Sequence, residues 1–116
     1  MAAGFDEMGL LALHAGHVLL VRHPEEANWR IPRSEPEADE TPDQTFDRLC
    51  VRLGIEVLGQ TDLGVREVDG RLFNLRQARI PGLPEAAGHE LRLVRLAYLP
   101  KELTAPDRPL LDALLG

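Results

Sequence analysis

Residues 29–55 read WRIPRSEPEADETPDQTFDRLCVRLGI, and the change of period inside this stretch decides the fold. Trp29 and Ile31 stand two apart, so alternation puts them on one face of a short extended piece, and Pro32 ends it by removing a ladder donor. Residues 34–40 are rich in acids, have no apolar period and read as loop. Then the spacing turns helical. Thr41 can cap a helix, Pro42 suits the first helical position, and Asp43 favours the positive end of the helix dipole. Phe46, Leu49, Cys50 and Leu53 follow at i, i+3, i+4 and i+7, one apolar stripe, and Gly54 is a natural C-terminal cap. The spacing predicts about three turns of helix over residues 41–53, with the stripe facing a core.

Strands are expected on both sides of this helix. Upstream, residues 8–23 read MGLLALHAGHVLLVRH, two apolar runs turning at Ala15-Gly16, where the glycine is free to take positive φ. Downstream, residues 55–68 are strand-like and Asp69-Gly70 marks a tight turn. In residues 71–80, Leu72, Asn74, Arg76 and Ala78 then alternate with Phe73, Leu75, Gln77 and Arg79. After a loop over residues 81–88, Leu91, Leu93, Val94, Leu96, Tyr98 and Leu99 suggest a buried strand that Pro100 closes. Residues 107–115 read as a short helix presenting Leu110, Leu111, Leu114 and Leu115 to the sheet.

A chain of 116 residues, 44% of them hydrophobic, has room for one domain with one core, so residues 1–116 are expected to form a single unit. No apolar run approaches the roughly 20 residues of a membrane span, and the acidic start MAAGFDEM lacks the basic and apolar regions of a secretory signal, so a cytoplasmic protein is expected. Cys50 has no second thiol to pair with and reads as core filler. The net charge of −6 repels a nucleic-acid polymer, whereas a few local arginines suffice at short range for a small phosphorylated ligand.

Four stretches resemble the Nudix hydrolases, in the family's order and near its spacing: residues 16–23 (GHVLLVRH), 29–32 (WRIP), 39–42 (DETP) and 52–55 (RLGI). Residues 89–96 and 99–103 look like that family's last strand and exit. The resemblance covers residues 9–115 and implies an α/β fold, a Nudix-like α/β/α sandwich with a mixed β-sheet. The family signature is G-x5-E-x7-R-E-U-x-E-E-x-G-U, with U bulky and apolar. Its glutamates, three or four residues apart on a helix, hold Mg2+ or Mn2+, which neutralises a diphosphate and helps to deprotonate water.

Against that signature Glu40 matches the first Glu and Arg48 the Arg, while Pro32-Arg33-Ser34 stands where Pro-Gly-Gly belongs. The span from Arg48 to Gly54 is one residue short, and no acid occurs between Asp47 and Glu56. Shifting the register by one puts Asp39, Asp47 and Arg48 at the Glu, Arg and Glu positions and restores no carboxylate cluster. The box is degenerate. The resemblance therefore leaves Glu40 and Glu90 as the catalytic candidates, each equally explained as a helix-end or strand-end charge. Arg48 is expected to clamp Glu40, Trp29 to form core or cleft wall, and Arg22, Arg30, Arg33, Arg48 and Arg76 to be the ligand-binding candidates beside Trp29.

No metal site and no cofactor are expected, and the leading function is binding of a nucleotide-like or other phosphorylated ligand, or of a protein partner, with little or no hydrolysis. A homodimer stays open. The competing function is an active hydrolase of nucleoside diphosphate-linked compounds, with Mg2+ or Mn2+ recruited by Glu37, Asp39, Glu40, Asp47 and Glu90.

Overall fold

The computed structural model describes residues 4–86, 88–99 and 107–115. Strand β1 (Glu7–His14) turns into β2 (His17–Arg22) through Ala15 and Gly16, both at positive φ (48° and 77°). That two-residue turn matches the twist of paired strands. Glycine adopts it freely, whereas Ala15 does so against the preference of an L side chain. Strand β3 (Arg33–Ser34) pairs with the start of β1. Helix α1 (Pro42–Leu53) follows, then the hairpin β4 (Gly59–Val68) and β5 (Arg71–Arg79), β6 (Glu90–Arg95), and helix α2 (Arg108–Leu115).

The sheet runs β4-β5-β1-β2-β6, with β1 parallel to β5 and the remaining pairs antiparallel, so it is mixed as expected. Its central strand is buried on both faces, which is why the apolar run in β1 is nearly continuous. On one face Met8, Leu10, Leu19 and Ala78 meet Phe46, Leu49, Cys50 and Leu53 of α1. On the other, Leu11, Val18, Leu20 and Leu75 meet Leu110, Leu111 and Leu114 of α2. The helices thus cover opposite faces, an α/β/α sandwich.

Helix α1 carries its predicted ends. Thr41 Oγ1 accepts from the Gln44 N–H (3.2 Å) while Gln44 Oε1 accepts from the Thr41 N–H (2.9 Å), a reciprocal cap. Gly54 closes the helix at φ 66°, and a Cβ there would lie 2.3 Å from the Glu85 carbonyl oxygen, so both conformation and space require glycine. Burial pushes the Cys50 thiol up to about 11, which makes it an inert core group.

Five expectations change. The strand expected through Leu99 stops at Arg95, because the β1–β2 turn ends the partner strand and the Leu96 N–H donates to the Gly16 carbonyl. Leu96–Tyr98 is a 3-10 turn with Leu96 and Tyr98 exposed, not buried. The piece at Trp29-Ile31 makes isolated bridge pairing, Arg30 opposite Val21, in place of a strand, since Pro32 has no N–H and the Ile31 N–H is taken by a side chain. Pairing of β4 begins at Gly59, not Ile55, whose N–H is used on Cys50 to end the helix, and Leu115 at the tip of α2 is exposed. The strand end expected at Pro100 and the motif at residues 100–103 lie outside the described residues.

Candidate functional site

Two hollows open where residues 30–37 pass along α1. The larger, about 470 Å³, is lined by Arg30, Arg33, Ser34, Arg48 and Arg52, with Glu7, Glu35 and Glu37 also on its wall. The smaller, about 200 Å³, is lined by Val21, His23, Glu26, Arg30, Arg33, Arg52 and His89. Arg30, Arg33 and Arg52 belong to both, so the hollows adjoin across a wall of three arginines.

The wall is held from beneath. Asp107, just before α2 and fully buried, accepts the Ile31 N–H at 2.8 Å through Oδ2. Its Oδ1 stands 2.5 Å from Arg33 Nη2 and 3.9 Å from Arg30 Nε. The close contact is an ion pair without hydrogen-bond alignment, and Arg33 Nε donates instead to the Ile31 carbonyl at 3.2 Å. Residue 107 therefore anchors residues 30–33 across 76 positions of sequence, and it was not among the sequence candidates. No local pattern marks such a contact.

Glu40 is fully engaged. Arg48 donates to it from Nε and Nη2, both at 2.9 Å, Thr45 Oγ1 donates at 2.6 Å, and it accepts the Glu37 N–H at 3.0 Å. The Arg48 hydrogen bonds, then the Thr45 hydroxyl, hold its carboxyl down at about 2. The expected Arg48–Glu40 clamp is thus present, and Arg48 Nη2 extends it to the Glu35 carbonyl at 2.6 Å. Because the folded pKa lies below the ordinary 4.5, the clamp's contribution is fully present above about pH 4.5 and is lost as pH falls towards 2. Urea midpoints measured from pH 6 to about pH 2 should therefore converge for the wild type and Glu40→Gln at the acid end; curves that stay parallel would contradict the clamp.

The remaining candidates are distributed. Glu90, at the start of β6, pairs with Arg22 (Nε at 3.0 Å), and Arg22 lies over the Trp29 ring at 5.0 Å with Arg92 near the same ring at 5.6 Å. Arg76 is buried under the start of α1, bonded to Asn74 (3.1 Å) and Gln60 (3.0 Å), paired with Asp43 at 2.9 Å and set over Phe46, away from the hollows. Arg30, Arg33 and Arg48 are therefore brought together. Arg22 and Trp29 meet each other, Arg76 stands apart, and Glu40 and Glu90 line neither hollow. Sequence reasoning missed Arg52, although its i+4 spacing from Arg48 already placed both on one helix face.

No family sequence model and no curated protein matches the chain. Solved structures do. A MutT from work on Aliivibrio salmonicida and Vibrio cholerae is similar at TM-score 0.73 over 96% of this chain and 97% of its own, with 18% identity. A MutT Nudix hydrolase from Burkholderia pseudomallei is similar at TM-score 0.71 over 96% and 95%, with 25% identity. A Bacillus subtilis pyrophosphohydrolase is similar at TM-score 0.70 over 99% and 82%, with 17% identity. The chain has the Nudix fold.

A Nudix helix implies a divalent metal, and the donors on α1 do not suit one. Its carboxylates are Asp43, which pairs with Arg76, and Asp47, while the two turns before Gly54 carry Arg48, Val51 and Arg52. Hard cations need several oxygen ligands. Among the described residues no group of three or more His, Cys, Asp or Glu side chains could hold a metal ion. Nor, among those residues, is any helix long and apolar enough to cross a membrane.

Proposed function

We propose that this Nudix-fold domain binds a nucleotide-like or other phosphorylated ligand and hydrolyses it little or not at all. The observation that carries this reading is the cleft wall: Arg30, Arg33 and Arg52 line both hollows along α1, where carboxylates would be needed for metal-assisted hydrolysis. Arginine forks match phosphate oxygens bidentately and keep their charge at every working pH. Glu40 cannot serve as a base near neutral pH while Arg48 and Thr45 occupy its oxygens and hold its pKa near 2.

A second reading, an active hydrolase with a non-standard metal site, draws support from the structural neighbours described as hydrolases. The two differ in rate. A bound metal supplies several kcal/mol of transition-state stabilisation, and each tenfold is about 1.4 kcal/mol, so its loss lowers turnover at least about a thousandfold. Purified protein with Mg2+ or Mn2+ is expected to bind members of a nucleotide panel at equilibrium. It is expected to show no turnover above background on nucleoside triphosphates, sugar nucleotides or dinucleoside polyphosphates. Turnover by the wild type that Glu40→Gln with Glu90→Gln abolishes would establish the hydrolase reading instead.

A further inference from the structure

We propose that Arg30, Arg33 and Arg52 form a metal-independent anion site that takes the diphosphate group of the ligand directly, with Arg52 as the residue that decides affinity. The inference rests on the ligand-binding reading above and specifies which part of the ligand is held, and how. Three arginines share this wall; among the described residues the carboxylate paired with it is Asp107, close to Arg33 and distant from Arg30, while Glu26 lines the smaller hollow without an ion pair to any of the three. The acids on the larger hollow are turned to other arginines, Glu7 and Glu35 towards Arg71 (3.6 and 3.9 Å) and Glu37 towards Arg48 (3.8 Å).

Arg52 has no carboxylate within 4.0 Å among the described residues, and its Nη2 donates to the Arg33 carbonyl at 2.9 Å, which fixes the side chain and leaves its other donors for an oxyanion. Burial, and then the charge of Arg48, hold its pKa below the ordinary arginine value. A polyanion supplies what is missing. His89 also lines the smaller hollow; its Nδ1 is buried with no hydrogen-bond partner among the described residues, and the His23 ring stands edge-on to it at 6.1 Å. That hollow, about 200 Å³, is below the roughly 300 Å³ of a drug-sized site, so it suits a compact anion, and the adjoining 470 Å³ leaves room for the group attached to it.

A site of this kind prefers the fully charged diphosphate. Mg2+ bound to the ligand cancels part of that charge and occupies the oxygens the arginines require, so the cation should weaken binding. Titration calorimetry with inorganic pyrophosphate, in EDTA and in excess Mg2+, tests this directly. Expected results are binding in EDTA, weaker binding in Mg2+, and a loss of at least about tenfold in Arg52→Glu and in the milder Arg52→Gln, with Arg95→Glu unchanged. Thermal melts of the free variants establish that they are folded. Pyrophosphate binding that requires Mg2+, or that Arg52→Glu leaves intact, overturns the proposal. If nucleotides bind while pyrophosphate does not, the arginine site is wrong and the broader ligand-binding reading stands; if neither binds with or without metal, both fall.

Discussion

Replacing Asp107 with alanine is expected to destabilise the protein by about 3–5 kcal/mol, the range for removing one partner of a buried ion pair. The side chain is fully buried and serves two purposes together: it accepts the Ile31 N–H at 2.8 Å and balances Arg33, with Arg30 farther away. Its loss leaves a buried N–H unpaired and gathers three arginines with no carboxylate beneath them. Asp107→Asn keeps the shape and an acceptor for Ile31 but not the charge, so it separates the two contributions and should cost less than alanine. Urea denaturation of both variants checks this. A loss under about 1 kcal/mol for alanine would mean that residues 30–33 are positioned by something other than Asp107.

Leu49→Ala should cost about 2–5 kcal/mol, the range for truncating a fully buried leucine, because the residue is 0% exposed at the centre of the α1 stripe. Phe46 and Leu53 lie one turn to either side, and Leu10, Leu19 and Ala78 of the sheet complete the same cluster. Close packing on both sides limits collapse into the cavity, which favours the upper part of that range. Val51→Ala is the matched control. Val51 is 82% exposed on the opposite side of the helix, and its truncation should change stability by no more than about 0.5 kcal/mol. Equal losses in the two variants would show the helix face to be misassigned.

Helix α1 was legible residue by residue because its information is local. Thr41, Pro42, the apolar stripe and Gly54 act within one or two turns of each other, and each sits where its spacing placed it. The hairpins at Ala15-Gly16 and Asp69-Gly70 were legible for the same reason. The edges of the sheet were less so. Leu96 and Tyr98 continue the apolar pattern of β6, yet β2 has already ended at His17 and offers no further partner. Apolar period marks a strand, but its length depends on the neighbour it pairs with.

The functional region divides along the same line. From the sequence alone came the α/β sandwich, implied by a resemblance over residues 9–115, and, within one short stretch, the missing carboxylates after Asp47 and the pairing of Arg48 with Glu40. The tertiary structure decided which arginines meet. It placed Arg76 under α1 beside Asp43, removed Glu40 and Glu90 from the hollows, and joined Arg30 and Arg33 to Arg52 above Asp107. Helical and strand periodicity fix the face on which a residue stands. Meeting a residue 76 positions away depends on how the sheet and both helices pack, and that packing is set by the summed burial of the whole core.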